Sequence, residues 1–134
     1  MSGDLSQLWA RADRCLQTKQ LAKAEQLYSE IIEKEGQAST ERLSLAYNNR
    51  GQSKYLRVDF RGSIEDYSKA IAVERDQAVY YYNRGLVHYR MGRFEPGIRD
   101  FEEALRLDAK FVDSKIALAT AKEELRRKTE KLKA

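Results

Sequence analysis

Residues 46–51 read AYNNRG, and residues 80–85 read YYYNRG. Tyr47, Asn49, Arg50 and Gly51 therefore recur as Tyr81, Asn83, Arg84 and Gly85, thirty-four residues further on. The same offset relates Phe60 to Phe94, Ile64 to Ile98, Asp66 to Asp100, Tyr67 to Phe101 and Ala70 to Ala104. A match that runs so far past the opening phrase describes a repeated structural unit rather than one catalytic motif. Such a unit carries an apolar face that it buries only by stacking on its neighbour. The paired glycines, Gly51 and Gly85, are expected where two helices cross too closely for a side chain, and Ala70 and Ala104 as small contacts of the same kind.

Outward from this phrase the chain is written in helix formers, with a single proline, Pro96. Seven helices are predicted. The first starts at Asp4, with Asp4 and Gln7 as a capping box, and turns Leu5, Leu8, Ala12, Cys15 and Leu16 inward. The second, 21–34, buries Ala24, Leu27, Tyr28, Ile31 and Ile32 and stops at Gly36. The third, 40–56, is capped by Ser39 or Thr40 and carries Leu43, Tyr47, Arg50, Gly51 and Lys54 on or near one stripe. The fourth, 61–73, faces Ile64, Tyr67, Ala70 and Ile71 inward. The fifth, 78–91, is capped by Asp76 or Gln77 and closed by Gly92. The sixth, 94–107, has Pro96 in its first turn and Ile98, Phe101, Ala104 and Leu105 inside. The last, 111–131, has an apolar stripe through Phe111, Ile116, Ala119, Leu125 and Leu132. Links of a few residues make consecutive helices antiparallel neighbours. The expected fold is all-α: three helical hairpins and a further helix, in one domain over 1–134.

The 134 residues carry 25 basic and 21 acidic side chains, a formal charge of +4 spread along the chain. That balance suits an ordinary solvated surface, and a nucleic-acid partner is not expected. One cysteine, Cys15, excludes an intramolecular disulfide and a zinc knot, and reads as a small core side chain. One histidine, His88, leaves little for metal or general-base chemistry. There is no glycine-rich phosphate loop after a strand, no run long enough to span a membrane and no secretory leader pattern. The expectation is therefore a cytoplasmic or otherwise intracellular protein with no catalytic residues, metal or cofactor. Arg50 and Arg84 are the candidates for phosphate or catalytic chemistry, but their equal spacing reads as structural, in pairs with Asp66 or Asp100. Residues 122–133 hold six basic and three acidic side chains and read as the wet face of the last helix.

The period and these residues resemble the tetratricopeptide repeat family. The resemblance covers repeats at 5–38, 44–77 and 78–111, with a capping helix at 111–131. Its structural signature falls on Tyr47, Gly51, Phe60, Tyr67, Ala70, Tyr81, Gly85, Phe94, Phe101 and Ala104. YNNRGQSKYLRVDF and YYNRGLVHYR also resemble stretches of a small three-repeat member. What the resemblance implies is a right-handed solenoid whose concave groove, lined by the first helix of each hairpin, binds a peptide or partner helix. The groove would show Trp9, Leu45, Asn48, Asn49, Gln52, Tyr55, Leu56, Val79, Tyr82, Asn83, Leu86 and Tyr89, with Arg90 and Lys19 at its edge. A basic clamp for chaperone C-terminal carboxylates would need Lys at Trp9, Asn at Asp13, Asn at Asn49, Lys at Val79 and Arg at Asn83. Only Asn49 agrees, so that ligand is not expected. Asn49 and Asn83 also fit a ladder of amides holding a peptide backbone, although Ala10 breaks it. Two readings of the asparagines stand: ligand contacts, or residues common there whatever the ligand. Two functions follow: a non-catalytic adaptor using its groove, or a structural subunit held by its convex face or last helix.

Overall fold

A computed structural model describes residues 2–36 and 39–133, without the side chains of residues 2–4. It is all-helical over the described residues: α1 (Ser2–Gln17), α2 (Leu21–Glu35), α3 (Thr40–Leu56), α4 (Phe60–Val73), α5 (Ala78–Arg90), α6 (Phe94–Leu107) and α7 (Val112–Lys133). The backbone is already helical at Ser2, so Asp4 lies inside the first turn of α1 rather than before it. Ser39, not Thr40, caps α3, its hydroxyl accepting from the Arg42 N–H. Gln77 holds the cap position of α5 without a side-chain bond, and Asp76 lies one residue further out.

The hairpin turns share one device. Lys19, Val58 and Gly92 each adopt positive φ, at 63°, 68° and 77°. Each donates its N–H three residues back, to Leu16, Tyr55 and Tyr89 respectively. The next N–H, of Gln20, Asp59 and Arg93, reaches five residues back, to Cys15, Lys54 and His88. This pair of bonds satisfies carbonyls that the helix end leaves open and reverses the chain in a fixed direction.

The chain divides into two compact units, 1–75 and 76–134. In the first, α1 and α2 close on a cluster of Leu8, Ala12, Cys15, Ala24, Leu27, Tyr28 and Ile31, joined by Ala46 of α3. Because α3 packs on both α2 and α4, its buried residues are small or polar: Ser44, Ala46, Asn48, Gly51 and Ser53. In the second unit Tyr80, Val87, Phe101, Ala104 and Ala121 are buried. Here the expected stripe on α7 is corrected. Ser114 and Ala121 face inward, while Ile116 and Leu132 are 60% and 80% exposed. The inward face is set by the Ser114 hydroxyl, which donates to the Phe101 carbonyl at 3.1 Å, and by small residues that let α7 lie close to α6.

Candidate protein-interaction site

The repeated phrase builds two copies of one brace. Arg50 on α3 donates from Nε and Nη2 to the two oxygens of Asp66 on α4, at 2.8 and 2.7 Å. Arg84 on α5 makes the same fork to Asp100 on α6, at 2.9 and 2.8 Å. The guanidinium groups lie 5.5 Å from the Tyr47 ring centre and 5.9 Å from that of Tyr81. Hydrogen bonding to the partner aspartate raises the pKa of both arginines. A planar fork matched to a buried carboxylate holds two helices in register. Arg50 and Arg84 are therefore structural, in the pairs that the spacing indicated.

The braces differ in their second cation. Lys54 Nζ lies 3.1 Å from Asp66, whereas the matching His88 Nε2 stands 3.9 Å from Asp100. Burial, opposed by Asp100 but helped by Arg84, Arg93 and Arg99, lowers the His88 pKa, and its buried Nδ1 has no hydrogen-bond partner among the described residues. His88 is thus a largely buried imidazole, biased towards its neutral form, where the other brace places Lys54.

Gly51 and Gly85 stand at the crossings. A Cβ on Gly51 would lie 3.0 Å from the Tyr67 ring, and one on Gly85 would lie 2.7 Å from the Phe101 ring. Ala70 and Ala104 are fully buried. The Phe60 ring packs on Tyr55 at 5.8 Å between centres, and Phe94 on Tyr89 at 5.6 Å, again in matching positions. Tyr55 and Tyr89 therefore spend part of their surface inside their own hairpins.

The remaining groove candidates distribute as follows. In the first unit Trp9 is half-buried, edge-on to Tyr28 at 6.1 Å, and its indole N–H finds no acceptor among the described residues. The Tyr28 hydroxyl donates to Asp13 at 2.5 Å. Burial and that bond push the phenol well above its ordinary value, and the Asn49 amide offers the same hydroxyl a further hydrogen bond. Asn49 also accepts from Asn48 at 3.2 Å. Asn48 itself is buried, at 7% exposure, so it presents little to a partner. Gln52, Leu45 and Leu56 are exposed. Lys19 is the left-handed residue of the first turn.

In the second unit Tyr82, Asn83, Leu86 and Tyr89 are half-buried, and Val79 and Arg90 exposed. Tyr82, Leu86 and Tyr89 form one wall of a cleft of about 250 Å³. Ile116, Ala117 and Thr120 of α7 form the other, with Phe101 at the base and Asp113 beside it. The α7 wall is not legible in the sequence, where Ile116 falls on the apolar stripe expected to pack inward. At the basic end of α7 two of the six cations are paired within the helix: Arg126 bonds Glu123 and Glu130, and Arg127 bonds Glu123. Hydrogen bonding from Arg126 holds the Glu123 carboxylate at about 2. Among the described residues no group of three or more His, Cys, Asp and Glu side chains is placed to hold a metal. No described helix is long and apolar enough to cross a membrane.

Comparison with known proteins agrees with this geometry. The TPR repeat family pattern matches residues 51–92, and the tetratricopeptide repeat pattern matches residues 78–111. Tetratricopeptide repeat protein 36 of Bos taurus is 38% identical over 97 residues, covering 67% of this chain and 51% of that protein. The chain thus spans about half the length of this curated relative. The Sgt2 TPR domain from Aspergillus fumigatus superposes with a TM-score of 0.84 at 16% identity, over 95% of this chain and 82% of that one. The first TPR of Spaghetti (RPAP3), solved bound to HSP90 peptide SRMEEVD, gives 0.83 at 17% identity, over 94% and 96%. The chain carries tetratricopeptide repeats, and its fold is that of tetratricopeptide-repeat solenoids.

Proposed function

We propose that the protein is a non-catalytic adaptor whose units hold a peptide or helical segment of another protein along the first helices of their hairpins. One observation carries this reading. The braces and glycines account structurally for most of the repeated phrase, yet Asn49 and Asn83 stay partly exposed beside aromatic and aliphatic side chains. An amide offers two donors and two lone pairs. Asn49 spends some of these on Asn48 and Tyr28 and keeps others for a peptide backbone. Rigid aromatic rings add contact area at low entropy cost. The solved neighbour bound to an HSP90 peptide supports a protein ligand in general. The particular acidic tail of that peptide suits this chain poorly, because Asp13 and Val79 stand where a clamp would place Asn and Lys.

Within the repeat proteins, YNNRGQSKYLRVDF and YYNRGLVHYR suggest a relation to tetratricopeptide repeat protein thirty-two of vertebrates, in addition to the likeness to protein 36. An intracellular location fits this reading. The double variant Asn49→Ala, Asn83→Ala should keep its helical circular dichroism and capture less of its specific partner in a pulldown. Unchanged capture of every specific partner rejects the reading. The alternative, a subunit held by α7 in a larger assembly, draws on the exposed Val112, Ile116 and Leu132. Truncation near Glu123 that abolishes assembly, with the asparagine variant unaffected, would favour it.

A further inference from the structure

The cleft between α5 and α7 has an acidic rim. Asp113 stands in the cleft. Past the contact of the Tyr82 and Phe111 rings, 4.9 Å between centres, a second recess of about 410 Å³ opens beside Asp76, Asp108 and the exposed Val79. None of these three carboxylates has a cation within salt-bridge distance among the described residues, and Arg106 acts on Asp76 only from further away. The rim thus opposes the chain's overall charge of +4. The cleft's walls are mainly aromatic and aliphatic. A dry cavity of about 150 Å³ already takes a benzene ring, so 250 Å³ accepts one large apolar side chain. A cation beside that side chain would meet the carboxylates, and an acidic neighbour would be repelled.

We propose that this cleft binds a segment of a partner protein in which a large aliphatic or aromatic side chain stands next to lysine or arginine. The proposal rests on the adaptor reading and specifies what the second unit selects.

The test is fluorescence anisotropy on the full chain with a short dye-labelled peptide carrying one phenylalanine between two arginines in a Gly-Ser context. It should bind roughly tenfold more tightly than peptides with glutamate for the arginines or alanine for the phenylalanine. Ile116→Ser alters a side chain that is 60% exposed and should weaken binding by about tenfold with the fold intact. Asp113→Asn should narrow the preference for arginine over glutamate. Equal affinity for the arginine and glutamate peptides overturns the charge selection, and full affinity in Ile116→Ser overturns the cleft. Light scattering addresses a second copy as occupant, since Leu132 lies exposed between Lys131 and Lys133. Self-association abolished by Leu132→Ser would overturn a separate partner. If the asparagine double variant loses its partner while Ile116→Ser and Asp113→Asn retain it, this proposal fails and the adaptor reading survives. If none of the variants changes capture, both fail.

Discussion

Val58 is a β-branched residue at φ 68°, in a turn position that glycine fills in the next hairpin as Gly92 at φ 77°. For a side chain branched at Cβ this region costs about 1–2 kcal/mol, through the approach of Cβ to the backbone carbonyl. Val58 is 66% exposed and so recovers little by packing. The turn persists because its two hydrogen bonds, from Val58 to Tyr55 and from Asp59 to Lys54, close the end of α3. Val58→Gly should therefore stabilise the protein by about 1 kcal/mol, after the entropy that glycine loses on folding. Thermal denaturation checks it, and a lower melting temperature would count against strain at this position.

At the scale of elements, the hairpins are set by glycine crossings and arginine–aspartate forks. Alanine in place of a helical glycine gains roughly 1 kcal/mol of helix propensity. Against that stands overpacking, at about 1–3 kcal/mol. At Gly51 the new Cβ meets the Tyr67 ring at 3.0 Å, and at Gly85 it meets the fully buried Phe101 ring at 2.7 Å. The two terms should nearly cancel in Gly51→Ala. In Gly85→Ala the clash should win by about 1–2 kcal/mol. Guanidinium unfolding of both variants measures the order, and a Gly85→Ala protein as stable as Gly51→Ala would refute the tighter crossing of α5 on α6. These elements were legible in the sequence because local chemistry dictates them. Gly36 ends α2 at a positive φ of 49°, Ser39 caps α3, and a repeated arginine sixteen residues before a repeated aspartate finds it across the hairpin. The faces of α3 and α7 were less legible. Asn48 reads as a polar surface residue, and Ile116 as a core residue, until the neighbouring helices are in place.

Across the whole molecule the two units carry the same brace with different chemistry. Lys54 Nζ stands 3.1 Å from Asp66, while His88 beside Asp100 has a lowered pKa. The unfolded chain, with an imidazole near 6.5, then binds a proton before the folded one does. The His88 contribution to stability is present above that value and lost as pH falls towards the lower folded pKa. Between about pH 7.5 and pH 5.5 hydrogen-exchange protection of α5 and α6 should fall more than that of α3 and α4. His88→Gln should remove the difference. Parallel loss in both units would show that His88 does not set the response.

Period, helix type, turn positions and the Arg–Asp pairs were determined by the sequence alone, because each depends on residues close along the chain, within one hairpin, or one repeat apart. Tertiary structure alone decided which sides of α3 and α7 are covered, that Tyr55 and Tyr89 stack within their hairpins, and that Asp113 joins Tyr82, Leu86 and Ile116 at one cleft. Helical periodicity tells which residues share a face. It does not tell which face another helix will cover, and a helix with neighbours on two sides, such as α3, buries small polar groups that no hydrophobic pattern marks.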